Sequence, residues 1–293
     1  MKEIPKHLYP FDQHWFEVDG PRLHYLDEGS GEPVVAVHGN PTWSFYYRDL
    51  VRELRDAYRV VVPDHIGCGL SDKPGDDVYD YTLTQRIEDF SRLMDHLGLD
   101  DISLVVHDWG GMIALGWAVR NPERVKRLVI LNTAAFHLPK SKSFPWQLWL
   151  VRDTPLGPLL VRGFNAFARG SSHTSCSRKK LSKEVRDAYC APYDSWADRI
   201  ATLRFVQDIP LRPGEPGYDV VSDTVTRLEV FRDRPVLVCW GEKDFVFDHH
   251  FLAEWQQILP EADVHRFADC GHYILEDASE EIIPLIRNFL AET

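Results

Sequence analysis

The chain of 293 residues reads as an α/β protein: a mostly parallel eight-stranded sheet flanked by helices, with a helical cap inserted into it. Three observations carry that expectation. Short apolar runs alternate with segments of helical spacing, a rhythm that belongs to parallel strands with helices on both faces. The first two runs instead alternate apolar and polar residues about Asp19-Gly20, the signal of an antiparallel hairpin. The rhythm then lapses once, from about Ala134 to about Pro216, in a stretch rich in Trp, Phe, Pro and Arg.

In chain order, His14 to Val18 and Leu23 to Leu26 are the hairpin strands. Strands follow at 33–37, 58–62, 102–106 and 126–131, with helices near 44–55, 83–97 and 110–120. After the lapse, Pro235 to Trp240 and Ala262 to Phe267 resume the sheet. The core is therefore expected in 1–133 and 217–293 and the cap in 134–216. Such a cap lies over the carboxyl ends of the strands, where open α/β sheets bind ligands.

Composition bounds the function classes. Hydrophobic residues make up 44% and charged residues 27%, as in an ordinary globular protein. A net charge of −12 would repel phosphates, so no nucleic-acid partner is expected. Met1 to Lys6 lacks the apolar core of a signal peptide, and no run approaches the roughly 18 apolar residues of a membrane span. A cytoplasmic protein is expected. Cys68, Cys176, Cys190, Cys239 and Cys270 are scattered and indicate neither disulfides nor zinc. Asp248-His249-His250 lacks ligand spacing and reads as a solvated helix start, and Gly67-x-Gly69 lacks the third glycine of a dinucleotide fingerprint. Neither metal nor cofactor is expected.

The chemistry gathers at strand ends. Leu104 to Asp108, followed by Trp109-Gly110-Gly111, runs an apolar strand into a glycine turn with a carboxylate at its apex, the context of a nucleophile elbow. No Gly-x-Ser-x-Gly occurs, so Asp108 takes the place of a serine. Taken alone it could be a helix N-cap. As a nucleophile it is ionised at neutral pH and needs no base, which suits displacement at carbon through a covalent ester. Breaking that ester calls for a histidine held by an acid. Asp244, after the strand ending at Trp240, and His272, after the strand ending at Phe267, supply them in the chain order 108, 244, 272. Asp248 is the competing acid. Upstream, the strand Val34 to Val37 ends in the sharp turn His38-Gly39-Asn40-Pro41. The backbone N–H groups of Asn40 and Trp109 are the expected oxyanion donors, each able to lower a barrier by about 3–4 kcal/mol. The Asn40 amide and the Trp109 indole add side-chain donors that suit an anionic leaving group such as a halide.

Together, His38 to Thr42, Pro63 to Pro74, His107-Asp108-Trp109-Gly110 and Gly271-His272-Tyr273 resemble the haloalkane dehalogenases, over nearly the whole chain outside the cap. The resemblance implies an α/β-hydrolase fold in which Asp108 displaces halide from a haloalkane and Asn40 and Trp109 hold the halide ion. Water activated by His272, itself oriented by Asp244, then hydrolyses the alkyl ester to an alcohol. Asn132-Thr133 ends the strand at 126–131 without a carboxylate, an arrangement similar to the third subgroup of that family. The same motifs resemble the β-lactone decarboxylases of bacterial long-chain olefin synthesis, whose cap the segments Phe144 to Trp149 and Arg162 to Phe167 look like. In that case Asp108 attacks a strained four-membered ring, carbon dioxide leaves and an alkene forms. Dehalogenation is the leading expectation and decarboxylation the alternative.

Epoxide hydrolases share the aspartate, and Tyr189 and Tyr193 would be their protonating pair, although lid tyrosines usually serve packing. A fold-sharing binding protein without turnover is the non-enzymatic alternative. Trp146, Trp149, Phe164 and Phe167 are candidate pocket residues for a small hydrophobic substrate. One or two of them are expected to touch ligand and the others to pack on the core. The apolar cap is left open as a contact for a second copy, a partner or a membrane.

Overall fold

The structure, a computed structural model, describes residues 4–293; the first half of the hexapeptide Met1 to Lys6 lies outside the described residues. Eight strands form one sheet: β1 (His14–Glu17), β2 (Arg22–Glu28), β3 (Pro33–Val37), β4 (Arg59–Pro63), β5 (Ile102–Asp108), β6 (Val125–Thr133), β7 (Val236–Gly241) and β8 (Asp263–Phe267). Their spatial order is β1-β2-β4-β3-β5-β6-β7-β8. β2 pairs antiparallel with both β1 and β4, and every other neighbouring pair is parallel. The hairpin turns through Asp19 (φ 47°) and Gly20 (φ 115°), the positive-φ pair that a two-residue hairpin turn needs, and so sets Glu17 opposite Arg22.

Strands covered on both faces read as continuous apolar runs, and here side chains alternate between two cores. Val35 and Val37 of β3 face the layer of α2 (Leu83–Leu97) and α3 (Trp109–Ala118). Val34 and Ala36 face the layer holding the chain's last helix, Ser279–Glu292. α2 begins at Thr82, whose hydroxyl accepts the Gln85 N–H, and ends at Gly98 in the left-handed region (φ 58°). The helix expected near 44–55 is divided: a 3-10 turn at Ser44–Tyr47 precedes α1 (Arg48–Leu54). All four residues of that turn are buried, and the Ser44 N–H is taken by Asp64 at 2.6 Å.

Between β6 and β7 the chain leaves the sheet for α4 (Trp146–Asp153), α5 (Ala166–Thr174), α6 (Lys183–Cys190) and α7 (Ile200–Gln207). Leu148, Val151, Val161, Leu203 and Val206 give these helices a small core of their own. A buried ionic knot ties them down. Arg48 of α1 donates two bonds to Glu276, at 2.5 and 2.9 Å, and the Tyr189 hydroxyl of α6 donates to the same carboxylate at 2.5 Å. Replacing one partner strands the other charge in a dry site, which typically costs about 3–5 kcal/mol. Arg48→Met is therefore expected to lower unfolding free energy by about that amount in urea titrations, whereas a loss under about 1 kcal/mol would show that water still reaches Glu276.

Candidate functional site

Asp108 is the last residue of β5 and adopts φ 51°, ψ −126°, a backbone state that a non-glycine residue occupies only when its surroundings impose it. The imposition is visible. β3 and β5 run parallel side by side, with Val37 opposite Val106, and the turn after β3 crosses the top of β5. A Cβ on Gly39 would overlap the Asp108 carboxylate, and one on Gly110 would overlap the Val37 carbonyl. Both glycines are required by this close approach. Thr133, at the end of β6, donates its hydroxyl to the Asp108 carbonyl. The side chain thus points into the molecule and makes no helix-capping bond.

One carboxylate oxygen, Oδ1, accepts the backbone N–H of Asn40 at 2.6 Å, and the Trp109 N–H also bonds this carboxylate. The other, Oδ2, lies 3.5 Å from His272 Nε2. The opposite ring nitrogen of His272, Nδ1, donates to Asp244 Oδ2 at 2.7 Å. Asp244 is fully buried and is held in turn by the Val246 N–H at 2.8 Å and the Asn132 amide at 3.1 Å. Asn132, at φ 32°, also bridges β6 to β7 by exchanging bonds with the backbone of Gly241. The competing acid, Asp248, does something else: it caps the helix His249–Ile258 and pairs with Lys142.

The loop bearing His272 is anchored from below and from the side. His107 Nε2 donates to the His272 carbonyl at 2.8 Å. Asp277 accepts the Gly271 N–H at 2.7 Å together with the N–H groups of Ser177, Arg178 and Lys179, joining the loop to the segment between α5 and α6. Neither Asn132 nor Asp277 carries a sequence signal of this role, because each acts only through a contact more than 90 residues away in the chain or through a turn that folding creates.

Electrostatics follow from burial. Desolvation pushes the Asp108 carboxyl above its usual range, against the opposing pull of His272 and of the Asn40 and Trp109 amides. For His272 burial disfavours the imidazolium, but the Asp244 carboxylate and, beyond it, Asp108 outweigh that cost and raise the group above its ordinary value. A basic carboxylate beside a readily protonated imidazole can attack a carbon and then stabilise a new anion.

These groups form the floor of an otherwise apolar cavity of about 520 Å³ beneath the cap, walled by residues such as Phe136, Phe144, Leu148, Val161, Val206 and Phe247. The Trp109 indole lines it, edge-on to Phe205 at 5.2 Å. Asn40 also lines it, but one amide N–H is given to the Thr202 carbonyl of α7 at 3.0 Å, so only the other is left for a ligand. Of the four candidate aromatics Trp146, Trp149, Phe164 and Phe167, Phe167 lines the cavity. Trp146, Trp149 and Phe164 do not, and are 68%, 52% and 65% exposed. The reason is helical phase. Leu148 and Val151, three apart, take the inward stripe of α4, which turns Trp146 and Trp149 outward. Tyr189 and Tyr193 are buried away from the cavity, on Glu276 and near the Thr42 carbonyl, so the pair that an epoxide hydrolase would use is missing from the site.

A family model for the alpha/beta hydrolase fold matches residues 32–279. The chain belongs to that family. Within this hydrolase family it is 59% identical, over 98% of its length and 90% of the relative's, to a cis-3-alkyl-4-alkyloxetan-2-one decarboxylase of Shewanella oneidensis. It is 31% identical, over 95% of both chains, to haloalkane dehalogenase 2 of Mycobacterium tuberculosis. Among solved structures, a haloalkane dehalogenase from Agrobacterium tumefaciens C58 superposes with a TM-score of 0.86 at 26% identity, covering 96% of each chain. The leading expectation of a dehalogenase is thus matched at the level of fold and distant kinship, and the alternative at much higher identity.

Because Asp244 holds His272 above its unfolded pKa, the linked stability is fully present below about pH 6.5 and is lost as pH rises through the folded value. In Asp244→Asn the imidazole is left mainly with its burial cost, and its pKa should fall below that of the parent. Histidine-selective NMR titration measures it directly. An unshifted His272 resonance would mean that Asp244 does not govern this ring.

Proposed function

We propose that the chain is a β-lactone decarboxylase acting on 3,4-dialkyl oxetan-2-ones, with Asp108 as nucleophile. The observation that carries this reading is the 59% identity to a protein named for that reaction, together with a site whose groups can perform it. Asp108 Oδ2 would attack the alkyl-bearing ring carbon bonded to the ring oxygen, not the carbonyl carbon. As that C–O bond breaks, its electron pair passes to the ring oxygen and leaves a carboxylate on the neighbouring carbon. The electrons of the bond between that carbon and the carboxylate then form the C=C bond, carbon dioxide departs, and the pair of the enzyme–carbon bond returns to Oδ2. Lactone gives alkene and carbon dioxide, with no proton and no water consumed.

Each local feature has work in that sequence. The Asn40 N–H holds Oδ1 and the Trp109 N–H also bonds the carboxylate, while Oδ2 faces the His272 ring. The new carboxylate forms beside the Trp109 indole, the second N–H of the Asn40 amide and an imidazole disposed to carry a proton. Apolar walls suit two alkyl substituents and keep water away from the intermediate. Dehalogenation is the second reading, supported by the same donors, which would accept a halide as readily as a carboxylate, and by the 31% relative. It differs in needing water.

That difference is testable. With a cis-3,4-dialkyl β-lactone the protein is expected to release alkene and carbon dioxide, and Asp108→Asn to lose at least about 10⁴-fold in turnover. In water enriched in oxygen-18, the Asp108 peptide should keep its original mass after turnover, because the aspartate–carbon bond breaks without hydrolysis. Label in that peptide, together with halide release from a 1-bromoalkane, would instead assign ester hydrolysis and the dehalogenase reading.

A further inference from the structure

The outer face of the cap combines two properties. Six of the ten large hydrophobic side chains exposed among the described residues belong to it: Trp146, Trp149, Leu156, Leu159, Phe164 and Trp196. Charge is distributed just as unevenly. Residues 140–183 hold nine Lys or Arg and a single acid, Asp153, out of 33 basic and 45 acidic residues in the chain. A surplus of eight positive charges in this stretch therefore stands against a surplus of twenty negative charges everywhere else. Lys140, Arg169, Lys179 and Lys180 are exposed and make no ion pair among the described residues.

The cavity opens through this same face. Gln147, Ala166 and Phe245 line the cavity and are also exposed, so they mark its mouth. Gln147 directly follows Trp146 in the chain, and Ala166 is two residues beyond Phe164. On α4 and the following turn the side chains alternate in role: Trp146, Trp149 and Leu159 point out, while Leu148, Leu160 and Val161 line the passage. At the far side of that turn Arg162 lies over the Trp196 ring, 4.8 Å from its centroid.

We infer that this face docks on an anionic lipid bilayer, with the cavity mouth turned toward the acyl region. Tryptophan and phenylalanine set among lysine and arginine are the composition of an interfacial surface, apolar enough to enter the headgroup layer and charged to suit anionic lipid. The negative remainder of the molecule orients the approach, since it is repelled by the surface that attracts the cap, and at physiological ionic strength the Debye length of about 8 Å screens it once docked. The unpaired Lys140 and Arg169 flank the exposed Trp146, Trp149 and Phe164 in the chain, and Lys179 and Lys180 follow, a pattern that complements a sheet of negative headgroups. The mouth would then open where a water-insoluble substrate with two alkyl arms resides. That last step rests on the lactone reading; the docking does not.

The test uses the full chain and no substrate, so its outcome is independent of the chemistry at Asp108. Vesicles of pure phosphatidylcholine and of phosphatidylcholine with one-third phosphatidylglycerol are compared by co-sedimentation and tryptophan fluorescence. Binding is expected to the anionic vesicles, with a blue-shifted emission, and to fall at about 1 M salt, where the Debye length is about 3 Å. Trp146→Ser/Trp149→Ser is expected to weaken partitioning about tenfold or more, and Lys179→Glu/Lys180→Glu by a similar factor, since each basic residue near such a surface is worth roughly fivefold. Circular dichroism and thermal melts of the variants confirm that they fold. Absence of binding to anionic vesicles overturns the inference, as does equal, salt-independent binding to both lipids. So does a protein dimer in sedimentation velocity that the tryptophan variant abolishes while vesicles recruit nothing, which would make a second copy the occupant of this face.

Discussion

The close crossing of the turn after β3 over the end of β5 governs this molecule. It places the Asn40 N–H on Asp108 Oδ1 and holds Asp108 at φ 51°, a conformation that local preference would not choose. The parallel pairing of Val37 with Val106 sets how near the two strand ends come, and Gly39 and Gly110 admit the approach. From that point the rest of the site follows. β6 supplies Thr133 and Asn132, β7 leads to Asp244, and the loop after β8 brings His272, so that the five neighbouring strands β3, β5, β6, β7 and β8 all contribute at their carboxyl ends. The cap roofs the space above, and its inner apolar stripe turns a shallow rim into a cavity with a mouth.

Much of this could be read from residue order. The elbow at Asp108, the turn at Asn40, and Asp244 and His272 each follow an apolar strand, and strand ends are where side chains converge in a parallel sheet. Strand limits also came within a residue or two of those observed, because strands buried on both faces have uninterrupted apolar sequences. What stayed hidden depended on helical phase and on contacts remote in the chain. Trp146 and Trp149 look like pocket residues by type, yet Leu148 and Val151 hold the inward face of the same helix. The amide of Asn40 looks free in sequence, yet Thr202, more than 160 residues later, takes one of its hydrogens. Asn132 was legible only as a missing carboxylate, whereas folding makes it the brace of Asp244.

Two chemistries can share such a site because both begin with a carboxylate displacing an anionic leaving group from carbon. The donors that would cradle a halide are equally suited to the carboxylate released when a four-membered lactone opens. The outcomes part afterwards. If the intermediate carries its own carboxylate, loss of carbon dioxide expels the aspartate from within the molecule, and the imidazole stabilises charge without having to activate water. On that reading substrate structure selects the product, and the protein's main contribution would be an apolar chamber around one carboxylate oxygen.

The carboxylate of Asp277, which collects the amides of Ser177, Arg178, Lys179 and Gly271, has a bearing on how these folds can diversify. It sews the inserted layer to the loop that carries the imidazole, so the two cannot be exchanged separately. A chimera that grafts foreign helices between β6 and β7 would leave this buried acid facing fewer amides and would loosen the histidine along with the roof. Recombination within this lineage should therefore succeed when the crossover keeps 175–179 and 271–277 from one parent, whatever the remainder of the insertion becomes.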